Sequence, residues 1–113
     1  MQTKGFVYHL VPPKVWERAL LEERYEPASL KKEGFIHLST ESQLLESARL
    51  HLGQYEELVV LRLVVKRLKH ALKWEESRGG ALFPHLYGNL PWDAIETTLT
   101  LERQEDGSFK FED

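Results

Sequence analysis

The sequence predicts an α+β fold with a mixed, mainly antiparallel sheet, and three observations predict it. Two helical patterns come early, most strand patterns come late, and no repeated βαβ alternation runs through the chain. One run, Leu58 to Val65, is apolar on both faces apart from Arg62, as a central strand requires. Asp106-Gly107 between two short strand patterns is a hairpin signal, which belongs to an antiparallel sheet.

The elements follow in order. Phe6 to Leu10 is rich in aromatic and β-branched residues and reads as a strand. Its period-two alternation sets Phe6, Tyr8 and Leu10 on one face and Val7 and His9 on the other. Pro12-Pro13 ends it, and a proline in a first helical turn loses no needed hydrogen bond. A helix is expected next, burying Val15, Trp16, Ala19 and Leu20 and turning Lys14, Glu17, Arg18 and Glu22 outward.

Residues 25–34 are mixed, contain Pro27 and end at Gly34. Phe35 to Ser39 is a short strand with Phe35, His37 and Ser39 on one face and Ile36 and Leu38 on the other. Thr40 followed by Gln43 has the spacing of a capping box and predicts a second helix. Leu44, Leu45, Ala48 and Leu52 form its buried stripe and Gly53 its stop. A further strand is expected near residues 71–75. Gly79-Gly80 opens a loop into Phe83-Pro84-His85-Leu86-Tyr87-Gly88. Residues 94–101 form a strand in which Ile95, Thr97, Leu99 and Leu101 share a face, and the hairpin leads to a last strand at 108–111.

At 113 residues the chain is one domain's worth, long enough to bury roughly two thirds of its surface without staples. No linker, repeat or low-complexity tract divides it, so residues 1–113 are read as a single domain. Hydrophobic residues at 42% and charged residues at 29% argue against disorder. Eighteen acids against fifteen lysines and arginines give a net charge of −3, so nucleic acid is not the expected partner. Lys66-Arg67-Leu68-Lys69-His70 is a short basic cluster that reads as a solvated turn. The absence of cysteine excludes disulfides, cysteine-based metal centres and thiol catalysis. The apolar run that stops at Pro12-Pro13 is too short for a signal peptide, and nothing approaches a membrane span. A soluble, cytoplasmic protein without membrane partners is the expectation.

Five histidines are present, and three keep unusual company. His9 ends an aromatic run. His37 sits between Ile36 and Leu38, two residues before Ser39, so imidazole and hydroxyl project together about 7 Å apart. That spacing suits two groups touching one ligand; the plainer alternative is a buried histidine paired with a backbone carbonyl. His85 and Tyr87 share a side of the loop between Pro84 and Gly88. Tyr87 suits stacking on a flat ring, or packing on the core. Glu75 is a candidate base or ribose contact and Arg78 a candidate phosphate contact; both are also ordinary surface charges. His51 and His70 read as surface groups, Trp16 as core, and Trp92 after Pro91 as a packing residue at a helix start.

Read as words, Tyr8-His9-Leu10, Trp16, Gly34-Phe35-Ile36-His37-Leu38-Ser39, Trp74-Glu75 and Phe83-Pro84-His85-Leu86-Tyr87-Gly88 with Leu90-Pro91 resemble the bacterial domain of unknown function family 952, DUF952. The blocks run in order from residue 6 to about residue 96, with an acidic tail after Leu101 outside them. That family is thought similar in fold to the ADP-ribosyltransferase superfamily. The resemblance therefore implies a split sheet behind two early helices and a cleft for NAD or an ADP-ribosylated compound. It also implies a histidine on the first strand, a second polar residue on a following strand, and a third, often glutamate, on a late strand. His9 takes the first position and His37, beside Ser39, the second. The third departs from the pattern, since neither Glu-x-Glu nor Gln-x-Glu stands on a late strand.

The leading expectation is an ADP-ribosyltransferase-like protein that binds, or transfers from, NAD or a related nucleotide. His9, His37 and His85 are its catalytic candidates, and Ser39, Glu75, Arg78 and Tyr87 its substrate contacts. Two histidines can divide acid and base roles near neutral pH. A noncatalytic ligand-binding or regulatory module using the same cleft is the alternative. A metal-dependent hydrolase built on the three histidines is the lesser one, since no His-x-His or HExxH spacing supports it; no resident metal is expected.

Overall fold

Each face of the first strand is buried by a different partner, and that division organises the molecule. In the computed structural model the described residues are 5–68 and 71–112; Lys69 and His70 of the basic cluster and the side chain of Arg78 lie outside them. Strand β1 spans Phe6–Val11 and helix α1 Pro13–Glu22, with Pro13 in its first turn. Helix α2, Ala28–Glu33, strand β2, Ile36–His37, and helix α3, Glu41–Leu52, follow. The remaining strands are β3 at Glu57–Val64, β4 at Leu72–Glu76, β5 at Leu82–Leu86, β6 at Ile95–Arg103 and β7 at Phe109–Phe111. Two antiparallel sheets result, a larger one in the order β1-β3-β6-β7 and a smaller one in the order β2-β5-β4.

Two cores sandwich the larger sheet. On one side Val7, Val11, Leu61 and Leu63 meet Trp16 and Ala19 of α1 and Ile36, Leu38 and Leu86 of the smaller sheet. On the other, Tyr8, Leu58, Val60 and Leu101 meet Leu44 and Ala48 of α3 and Phe109 of β7. Strand β3 is therefore the central, doubly buried strand. Among the described residues the two sheets are hydrogen-bonded to each other at one isolated bridge, where the Tyr8 and Ser39 backbones exchange N–H···O bonds of 2.8 Å each. From that point they diverge.

The capping box forms as the spacing predicts: the Thr40 hydroxyl accepts from the Gln43 N–H, and the Gln43 side chain accepts from the Thr40 N–H. Gln43 also donates to the Leu82 carbonyl at 2.8 Å, tying α3 to the start of β5. Thr40→Ala should cost about 1 kcal/mol, the usual worth of an N-cap, measured as a lower urea midpoint at unchanged slope. At the other end α3 stops before Gly53, which is right-handed with φ −64°, so the stop needs no left-handed glycine.

Several expectations are corrected. The α1 stripe is narrower than four residues, for Val15 and Leu20 are 46% and 54% exposed. Each lies about 40° outside the arc held by Trp16 and Ala19. On α3, Leu45 is likewise exposed. The mixed stretch 25–34 holds a helix, α2, ended by Gly34 in the left-handed region at φ 88°. The pairing of β2 with β5 covers only two residues, because Ser39 crosses to β1.

The expected loop at 83–88 is mostly strand: β5 is the centre of the smaller sheet. Pro84 is tolerated there because its carbonyl accepts from Leu38 N–H, so its missing donor faces the point where the chain leaves β5 for β1. Finally, a bulge between Arg62 and Leu63 breaks the alternation of β6, sending Ile95 to the first core and Leu99 and Leu101 to the second. The Asp106-Gly107 hairpin forms, with the Asp106 carboxylate accepting from Ser108 N–H and hydroxyl, and packs Phe109 into the second core.

Candidate functional site

Beside the fork of the sheets lies a cleft of about 390 Å³. His9 and Leu10 border it from β1, His37, Leu38 and Ser39 from β2 and its continuation, and Phe83 and His85 from β5. Ser47, His51 and Leu52 of α3 and Ser77 after β4 complete the wall.

The three histidines differ in what they offer. His9 is held at both ring nitrogens, Nδ1 at 2.8 Å from the His37 carbonyl and Nε2 at 2.6 Å from the Tyr25 hydroxyl. A carbonyl only accepts, so Nδ1 carries the hydrogen and Nε2 accepts from Tyr25. Burial lowers the His9 pKa to about 4, against the opposing pull of the His37 carbonyl, so the ring is neutral at pH 7. Burial also raises the pKa of the Tyr25 hydroxyl, and the Tyr25 ring sits edge-on to Trp16 at 5.9 Å. His9 thus clasps the 22–27 turn to the backbone of β2.

His37 and His85 face each other across the β2–β5 ladder, their rings edge to face at 5.5 Å. His37 stands half in solvent and donates Nε2–H to Glu33 Oε1 at 2.6 Å. His85 is buried and donates Nδ1–H to Glu75 Oε1 at 2.7 Å. The same carboxylate oxygen accepts from the Tyr87 hydroxyl at 2.7 Å. Those two hydrogen bonds, the Tyr87 one foremost, hold the Glu75 carboxyl below its ordinary range and raise the Tyr87 hydroxyl. Phe35 stacks on His85, centroids 4.1 Å apart and planes 21° apart, and touches His37 and Tyr87 edges as well.

Of the residues singled out in the sequence, the fold brings His9, His37, Ser39 and His85 to one cleft. Ser39 is buried against α3, its hydroxyl 3.4 Å from that of Ser47. Glu75 and Tyr87 do not border the cleft but stand behind His85. Arg78 lies outside the described side chains. Sequence reasoning missed Tyr25, Glu33 and Phe35, which hold the three imidazoles; His51 is exposed, as the sequence suggests, and also borders the cleft. The Glu33-x-x-x-His37 spacing was the one available signal. Among the described residues no three His, Asp or Glu side chains gather as a metal site, and no helix is long and apolar enough to cross a membrane.

Fold and site together define an α+β protein with a forked antiparallel sheet and a histidine-lined cleft at the fork. The family described as protein of unknown function (DUF952) matches residues 10–98, and the chain belongs to that family. It is similar to protein CC0527 from Caulobacter crescentus, whose crystal structure is 35% identical with a TM-score of 0.84 over 93% of each chain. The solution NMR structure of CC0527 gives 37% identity and a TM-score of 0.77, over 91% of this chain and 90% of that one. No curated protein matches.

Proposed function

We propose that the cleft binds a nucleotide of the NAD or ADP-ribose kind and that the protein is an ADP-ribosyltransferase-like enzyme of the cytoplasm. The observation that carries this reading is the meeting of His9, His37 and His85, from three separate stretches, at one cleft beside a sheet fork. Leu10, Leu38, Leu52 and Phe83 give a flat ring apolar walls, while Ser39 and Ser47 hydroxyls suit a ribose. His9, with both nitrogens engaged, acts through the His37 backbone it fixes, and His37 and His85 face the ligand.

The test is thermal unfolding with NAD, ADP-ribose and nicotinamide. A ligand at ten times its Kd adds about 1.4 kcal/mol and should raise Tm by about 5 °C. His37→Ala should remove most of that rise. Flat melting curves across all three compounds would overturn the reading. One observation favours a noncatalytic binding module instead: among the described residues no glutamate borders the cleft. NAD that shifts Tm yet is recovered intact after long incubation is the result that reading requires.

A further inference from the structure

A transfer reaction in this cleft needs a base, and no aspartate or glutamate among the described residues borders it. His85 is placed for that task. Its Nδ1–H is committed to Glu75, which leaves the Nε2 lone pair outward, and among the described residues Nε2 has no hydrogen-bond partner. Phe35 covers one face of the ring, shielding it from water. Tyr87 gives Glu75 a second hydrogen bond on the same oxygen, which keeps the carboxylate ionised and aimed at the imidazole. Of the other cleft histidines, His9 has both nitrogens engaged, His37 is 53% exposed with its Nε2–H given to Glu33, and His51 is exposed on α3.

We infer that Glu75 and His85 form a base dyad whose Nε2 takes the proton of a hydroxyl acceptor, water or an alcohol, for a ribosyl group bound in the cleft. This rests on the nucleotide reading above. The balance is complete without a co-reactant. The bond between the anomeric carbon and the nicotinamide nitrogen breaks, and its electron pair stays with nicotinamide, which leaves neutral. The acceptor oxygen bonds to the anomeric carbon and its proton passes to His85 Nε2. The imidazolium so formed keeps its Nδ1–H bond to the Glu75 carboxylate, then gives the proton to water. Glu75 and Tyr87 are positioning residues. The acceptor class follows from the chemistry of an imidazole base, which takes the proton of a hydroxyl as the new C–O bond forms but cannot take one from a guanidinium.

The experiment incubates the full chain with NAD, in water and in water containing methanol, and follows nicotinamide release, methyl ADP-riboside formation and Tm. Glu75→Gln should keep the Tm rise with NAD, slow nicotinamide release by at least about tenfold and displace its pH profile, with Glu75→Asp restoring part of the rate. Imidazole NMR should show His85 as a single Nδ1–H tautomer in the native protein and a mixture in Glu75→Gln; the displaced pH profile and the partial rescue by Glu75→Asp are the readouts that a merely structural role would not move. Should that variant fold poorly, Tyr87→Phe carries the same test with a release about threefold slower. Unchanged release in either variant, or an Nε2–H tautomer in the native protein, overturns the dyad. A Tm rise with NAD recovered intact overturns the dyad and leaves the binding reading standing. No Tm rise at all overturns both.

Discussion

Taking the protein from pH 7 to pH 4 should cost about 3 kcal/mol through His9 alone. The ring is neutral in the folded state down to about pH 4, whereas an unfolded histidine takes a proton near pH 6.5. Between those values the unfolded chain binds the extra proton, so stability rises with pH and is lost as pH falls. The loss begins below pH 6.5, reaches about 2 kcal/mol at pH 5 and about 3 kcal/mol at pH 4, where the folded ring itself begins to charge. Against a total stability of about 5–15 kcal/mol that is a large share. The cause is geometric. The ring is enclosed, its Nδ1–H is spent on a carbonyl, and a proton on Nε2 would force the buried Tyr25 hydroxyl to turn from donor to acceptor. Carboxylates titrate in the same range, so the measurement compares urea unfolding of the native protein and His9→Gln at pH 7 and pH 4.5. The native protein should lose about 2 kcal/mol more than the variant over that interval; equal losses would sink the assignment.

Much of the fold was legible because local rules and tertiary packing agree. Strand β1 alternates cleanly, so Phe6, Tyr8 and Leu10 could be set against Val7 and His9 before any partner was known, and the two cores divide along that line. The Thr40–Gln43 box and the Asp106-Gly107 turn carry their geometry in the sequence itself. Strand β5 was hidden because Pro84 argues for a loop, and only the crossing of Ser39 to β1 makes a proline harmless at the centre of a sheet. The bulge at Arg62–Leu63 was likewise invisible, since it shifts β6 without any glycine to mark it.

The site was half legible for a related reason. Histidines between apolar neighbours stand out in a sequence, but the groups that fix them do not. Tyr25 is 16 residues from His9 and Glu75 is 10 residues from His85. Such pairs exist only once the sheets have closed. Whether an imidazole is spent, as in His9, or keeps a nitrogen, as in His85, is decided by those partners and not by its own position in the chain.

Truncating Ile36 should therefore damage the cleft as well as the core. Ile36 is fully buried between the sheets, and with Leu38 it anchors β2 to the first core. Ile36→Ala removes a large buried side chain where the short β2 ladder gives the neighbourhood little to collapse upon, and should cost about 3–4 kcal/mol. The same strand carries the His37 carbonyl that holds His9 and the His37 ring opposite His85, so loosening it opens the fork. Leu101→Ala is the control, because Leu101 is equally buried in the second core, far along β6 from the fork. Its loss of stability should be similar by urea unfolding, yet it should keep the NAD-dependent rise in Tm that Ile36→Ala loses. Equal retention of that rise in both variants would mean that β2 does not depend on its apolar anchor, and that the fork is held by the Tyr8–Ser39 backbone bridge alone.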